Sequence, residues 1–119
     1  MVKSLSPSNV IKRIGSTTSS ATPTINTDTV DEYDITALAA AITSMTTNLS
    51  GNPNNGDTLI VRFKDNGTAR TITWGTSFAS SGTATLLATT VINKTHYVGL
   101  RYDSTTAKWI CLAVDATGY

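Results

Sequence analysis

At 119 residues, with 14% charged side chains and a formal net charge of +1, the chain has the size of one compact domain and lacks the broad basic surface on which a nucleic-acid binder relies. Its single cysteine, Cys111, excludes an intrachain disulfide or a thiolate cluster. No run approaches the roughly 18 apolar residues needed to span a membrane, and the N-terminus lacks the apolar block of a secretory signal, so synthesis and assembly in the cytosol are expected.

Residues 1–23 hold Lys3, Lys12 and Arg13, no acidic side chain, and a Ser/Thr tract from Ser16 to Thr22 that ends at Pro23. Apolar residues are too thinly spread there to build a core, so the segment reads as an extended, polar to basic N-terminal arm. Within it Val10, Ile11 and Ile14 form one short apolar face beside Lys12 and Arg13, with Ser8 or Asn9 placed to cap a helical turn. Lys3, Val10, Ile11, Lys12, Arg13 and Ile14 are therefore the candidate anchoring residues, set against the alternative of a terminus with no partner.

Residues 24–119 read as short strands separated by turn residues. A first strand covers residues 24–26 and a second residues 32–38, where Tyr33, Ile35 and Ala37 alternate with Asp34, Thr36 and Leu38. Residues 39–49 are ambiguous, with alanines that suit a helix but Ile42, Ser44, Thr46 and Thr47 that favour a strand; a strand is expected. After the polar loop 50–57, Leu59, Val61 and Phe63 alternate with Ile60, Arg62 and Lys64 up to Asp65-Asn66-Gly67, beyond which Arg70, Ile72 and Trp74 alternate with threonines. The Asn-Gly pair tolerates positive φ, so residues 56–74 are expected to form a β-hairpin. Residues 85–91 suggest an edge strand. Residues 94–102 and 108–114 flank the polar connection Asp103-Ser104-Thr105-Thr106 and predict a second hairpin.

Short, evenly spaced strands point to an all-β fold, an antiparallel β-sandwich or jelly-roll-like domain preceded by the arm. Alternation gives a predicted core of Ile35, Ile42, Leu59, Val61, Phe63, Ile72, Trp74, Leu86, Val98, Leu100, Trp109 and Cys111 or their immediate neighbours. Ile60 and Ile110 are apolar on the opposite faces, which favours burial of an outer face against another copy of the chain.

No spacing announces an active site or a cofactor. His96, the only histidine, lacks a metal-binding or catalytic partner and reads as a surface or interface residue, and Cys111 as a small core residue. Asp28, Asp31, Glu32 and Asp34 are dense enough to attract calcium, yet match no EF-hand loop and read as a solvated strand entrance. Three glycosylation sequons, at Asn48, Asn66 and Asn93, are expected to be accidental in a threonine-rich chain without a secretory signal. Trp74, Trp109, Tyr97, Tyr102 and Tyr119 are the rings available for stacking on a glycan, although strand positions favour packing.

The run Tyr33-Asp34-Ile35-Thr36-Ala37-Leu38-Ala39, the 56–74 segment with Lys64-Asp65-Asn66-Gly67-Thr68-Ala69-Arg70, Thr89-Thr90-Val91, Tyr97-Val98-Gly99, Tyr102-Asp103 and Lys108-Trp109 together resemble a small β domain of tailed-bacteriophage virion proteins. The resemblance implies a structural or adhesive module, commonly a homotrimer, with no catalytic residues. Combined with a short chain, it implies a capsid decoration (cement) protein or short head fibre, localised to the virion and bound to the major capsid protein or another virion protein through the arm. Arg62, Lys64 and Arg70 are then candidate outer contacts. The alternative is a tail-fibre or receptor- and glycan-binding adhesion module. Neither nucleic acid nor membrane is an expected partner.

Overall fold

The computed structural model describes residues 12–119. Among them there is no helix, and eight strands form: β1 (Ile14–Thr17), β2 (Ile25–Asn26), β3 (Glu32–Leu38), β4 (Leu49–Ser50), β5 (Thr58–Asp65), β6 (Phe78–Ala79), β7 (Thr95–Asp103) and β8 (Lys108–Val114). Six of them make one sheet in the order β1-β3-β5-β7-β8-β6, and β2 pairs with β4 in a second, two-stranded sheet. The second hairpin is present as expected, with β7 antiparallel to β8 across the 104–107 turn.

The sheet is mixed rather than antiparallel. β1 runs parallel to β3, β3 to β5, and β6 to β8, while only β5–β7 and β7–β8 are antiparallel. Chain connectivity explains this. The link from β3 to β5 occupies residues 39–57, long enough for the crossover that a parallel pair requires and far longer than a hairpin turn. Ile14–Thr17, within the segment read as an arm, is laid down as an edge strand on β3.

The hairpin expected at residues 56–74 does not close. β5 has β3 on one edge and β7 on the other, which leaves no free edge for the chain after Gly67. That chain instead leaves the sheet and passes over its inner face, where Ile72 bridges Ile42 and Thr71 bridges Thr89. Residues 39–48 likewise form no strand, because side-chain hydroxyls compete for the backbone. Ser44 Oγ accepts from the N–H groups of Thr46 and Thr47, and the Thr46 hydroxyl donates to the Trp74 carbonyl.

All predicted core positions are buried except Leu86, whose place is taken by its neighbour Leu87. Burial alternates along β5, with Leu59, Val61, Phe63 and Asp65 facing in. Leu38 of β3 and Phe78 of β6, Ile25 of the small sheet, and Ile42, Met45, Ile72, Trp74 and Leu87 of the irregular segments complete the core. Trp74 ties an irregular segment to the large sheet. Its ring meets Phe63 and Phe78 edge-on, with centroids 5.7 and 5.1 Å away, and its indole N–H donates to the Leu87 carbonyl at 2.8 Å.

Asp65, only 1% exposed, ends β5 pointing inward. Its Oδ2 accepts from the N–H groups of Gly67 (2.8 Å) and Asn93 (2.9 Å), and its Oδ1 from the Thr90 hydroxyl (2.7 Å). Thr90 Oγ1 in turn accepts from Arg70 N–H at 2.8 Å. Burial opposes the carboxylate charge, but these three hydrogen bonds and the positive charge of Arg70 outweigh it and hold the pKa below the ordinary value.

Replacing Asp65 with Ala strands two N–H groups and a hydroxyl and should cost about 3 kcal/mol in urea unfolding at neutral pH. Because the folded-state pKa lies below the unfolded one, the native carboxylate contributes fully above about pH 4 and loses that contribution as pH falls through the folded-state value. Stability measured between neutral pH and about pH 3 should therefore fall less steeply in the variant than in the native chain; equal slopes would remove Asp65 from the acid response.

Candidate functional site

The residues singled out from sequence fall in different places. Lys3, Val10 and Ile11 lie outside the described residues. Lys12 and Ile14 are exposed at the β1 edge. Arg13 is engaged by its own chain: its guanidinium grips both Asp31 carboxylate oxygens, at 3.2 and 2.9 Å, and donates to the Asp28 carbonyl at 2.7 Å. The Arg13 hydrogen bonds hold the Asp31 carboxyl below its usual range. This clamp fixes the entry of the chain into the sheet.

Arg62 and Lys64 lie on the outer face of β5, whereas Arg70 sits in the loop beside Asp65. Lys64 Nζ donates to the Asn93 carbonyl at 2.6 Å. Arg62 lies against Tyr97, its Cζ 6.0 Å from the ring centroid. The three cations therefore do not form one patch.

His96 is not at the surface. It is fully buried, its Nε2 accepting from Val91 N–H at 2.9 Å and its Nδ1 lying 2.8 Å from the Asp115 carbonyl. Since Nε2 is an acceptor, Nδ1 carries the proton and donates. Both nitrogens are thus used to hold two loops. Cys111 is buried as expected, and burial pushes its thiol pKa up. In the acidic cluster Asp28 Oδ1 accepts from Asn52 N–H, Asp31 faces Arg13, and Glu32 and Asp34 point to the outer sheet face. Among the described residues no three His, Cys, Asp or Glu side chains converge as a metal site would require.

Among the aromatic residues, Trp74 and Trp109 are buried and Tyr102 packs edge-on against Trp109. Tyr97 and Tyr119 are different. They are 36% and 63% exposed and stack on each other with ring planes 12° apart and centroids 6.2 Å apart, an offset pair that leaves much of the ring faces free. Register places this pair on the outer sheet face. Ile14, Glu32, Ile60, Gly99 and Ala113 form one cross-strand row, and Ser16, Asp34, Arg62 and Tyr97 the next.

Both rings stand on fixed backbone. Tyr97 is inside β7, and Tyr119 exchanges two backbone hydrogen bonds with Thr95, at 2.9 and 3.1 Å. The turn leading to Tyr119 starts where His96 holds the Asp115 carbonyl, and Asp115 Oδ1 accepts from Gly118 N–H at 3.0 Å. Beside Tyr97 the face sinks into a concavity of about 400 Å³ lined by Ile60, Tyr97, Gly99, Ala113, Val114 and Asp115. No protein-family model, curated protein or solved structure matches the chain.

From sequence, Tyr97 and Tyr119 are only two rings among five. Alternation from the buried Val98 puts Tyr97 outward, and that signal was present; nothing local shows that Tyr119 returns to stack on it. Gly118 is the residue on which this return depends. Its φ is +74°, and an added Cβ would lie 2.6 Å from Lys94 Cβ and 3.0 Å from His96 Cε1. Gly118→Ala should lower stability by about 1–2 kcal/mol and release Tyr119 from Tyr97. Loss of the ring-current shifts and cross-ring contacts of this pair in NMR spectra would report the release, and their retention would show that the turn tolerates a side chain.

Proposed function

We propose that the chain is a non-enzymatic structural protein of a bacteriophage virion, a capsid decoration (cement) or short head-fibre protein attached to the shell through the residues that precede β1. The observation that carries this reading is the β1 edge. Among the described residues Ile14–Thr17 pairs with β3 on one side only, and Arg13, next to it, grips Asp31 and Asp28. An open strand edge is a surface on which a capsid protein can add strand or groove contacts, which supports attachment at this rim. Ordering such a segment costs conformational entropy, and a homotrimer carrying three of them offsets this through multivalent attachment.

The accompanying fold reading is a sandwich-like domain. It draws support from the six-stranded sheet, the separate β2–β4 pair and the isolated bridges Ile42–Ile72 and Thr71–Thr89. Assembly in the host cytoplasm followed by residence in the virion goes with this role. The use of both His96 nitrogens for loop backbone, and the burial of Cys111, support a structural rather than a catalytic part for these two residues.

A second reading, a receptor- or glycan-binding module of a tail, draws on the exposed Tyr97–Tyr119 stack.

Deleting residues 1–11 should leave the amide spectrum of the β domain intact while weakening binding to particles stripped of the protein by more than about tenfold. Undiminished binding would refute the anchoring role. Reconstruction of the virion should show the protein distributed with the symmetry of the shell, and density confined to the tail would transfer the assignment to the second reading.

A further inference from the structure

Only two asparagines of the chain precede a glycine, in Asn55-Gly56 and Asn66-Gly67, and both pairs stand exposed. Such a pair carries its own chemistry. Glycine has no side chain to shield its backbone nitrogen, so once that nitrogen gives its proton to a solvent base it can attack the carboxamide carbon of the asparagine before it. A bond forms between Cγ and the glycine nitrogen, the C–NH2 bond breaks, and ammonia leaves with a proton from water. Water then opens the cyclic imide at either carbonyl. Opening at Cγ gives aspartate, and opening at the main-chain carbonyl gives isoaspartate, in which the chain runs on through the side chain.

The fold treats the two pairs differently. Gly56 N–H donates to the neutral Tyr102 carbonyl at 2.9 Å, and Asn55 Oδ1 accepts from Ser104 N–H at 3.0 Å, so that side chain is held as well. The exposed Asn66 carboxamide takes no hydrogen bond among the described residues. Its restraint comes from the nitrogen it would meet. Gly67 N–H donates at 2.8 Å to Oδ2 of Asp65, the same oxygen that accepts from Asn93 N–H at 2.9 Å. Removing the Gly67 proton in place would set an amide anion against a buried carboxylate, so this charge-assisted bond must break before attack. The imide itself has no N–H, and its formation takes from Asp65 one of three donors.

We propose that Asn66 is a site of spontaneous conversion to aspartate and isoaspartate, and that the Asp65 carboxylate sets the rate in the folded chain by holding Gly67 N–H. Water is the only co-reactant, and shell attachment plays no part in it. The product bears on the fold, because a second carboxylate or a lengthened backbone then lies next to the side chain that ends β5.

Peptide mapping by mass spectrometry, which separates the asparagine, aspartate and isoaspartate forms, follows both sites in one sample of the full chain kept at mildly alkaline pH. In urea the two sites should convert at similar rates. In the folded chain Asn66 should convert about 10- to 100-fold more slowly than in urea, the factor expected when a hydrogen bond to a charged group has to be given up. Asp65→Asn keeps an acceptor but removes the charge, and should speed Asn66 by about tenfold while Asn55 keeps its native rate. Asn55 is thus the internal control for loosening of the whole fold. Base-catalysed amide exchange removes the same Gly67 proton and requires no variant; in the native chain it should be slowed by a similar factor relative to the unfolded chain, although Gly67 is exposed. Three results would overturn the assignment. They are an Asn66 that stays intact in the folded chain or converts there as fast as in urea, a Gly67 amide that exchanges as in the unfolded chain, and an Asp65→Asn chain, folded by its amide spectrum, in which Asn66 is no faster or Asn55 accelerates equally.

Discussion

The structure depends on two buried polar side chains at one end of the large sheet. Asp65 closes β5 and His96 opens β7, and between them they bind the backbone of Gly67, Val91, Asn93 and Asp115 and the hydroxyl of Thr90. Each is placed where an apolar residue would continue the inward alternation of its strand. An unpaired carboxylate there would be severely destabilising, so the loops are required to bring their donors to it. These loops lack the apolar surface to hold themselves in place. Their conformation is set by the hydrogen-bonding needs of two side chains.

That constraint decides the topology after Gly67. An Asp-Asn-Gly turn alone allows the chain to double back along β5, but Asp65 draws residues 67 and 90–93 to the same end of the sheet, and both edges of β5 are paired. The intervening chain therefore crosses the inner face, bringing Ile72, Trp74 and Leu87 down onto it, and joins the far edge at Phe78 in β6. Apolar burial then follows at about 25 cal/mol per Å² of surface removed from water. The core is closed mostly by irregular backbone, whose polar groups are satisfied by threonine and serine hydroxyls and by isolated bridges.

This separation explains what could be read from the residues. Where a strand has a regular apolar alternation, as in β3, β5, β7 and β8, its extent follows from local pattern, and Glu32–Leu38 has the expected limits, but bulges break the alternation in β3 and between β7 and β8, so that Leu38 rather than Ala37 turns inward. Where order depends on a distant partner, local pattern misleads. Residues 70–74 alternate like a strand but lack an edge to join, and residues 39–48 have strand-forming side chains that instead hydrogen-bond the backbone. His96 has no nearby sequence signal of burial, because its partners Val91 and Asp115 contribute only backbone atoms. The same holds for the candidate site. Tyr97 faces outward by alternation, while the stacking of Tyr119 depends on a turn held by His96, Asp115 and Gly118. Arg13, a candidate anchoring residue by sequence, stands in a segment without acidic residues, and its partner Asp31 lies beyond that segment.

The two outward-looking features occupy different parts of one rigid sheet. β1, where the preceding chain departs, is an edge strand; Tyr97 is on β7, three strand spacings or about 14 Å away. Continuous backbone pairing through β3 and β5 connects them, so their relative position is fixed by hydrogen bonds rather than by a linker. Whatever engages one of these features therefore meets the other at a set distance and on the same rigid frame.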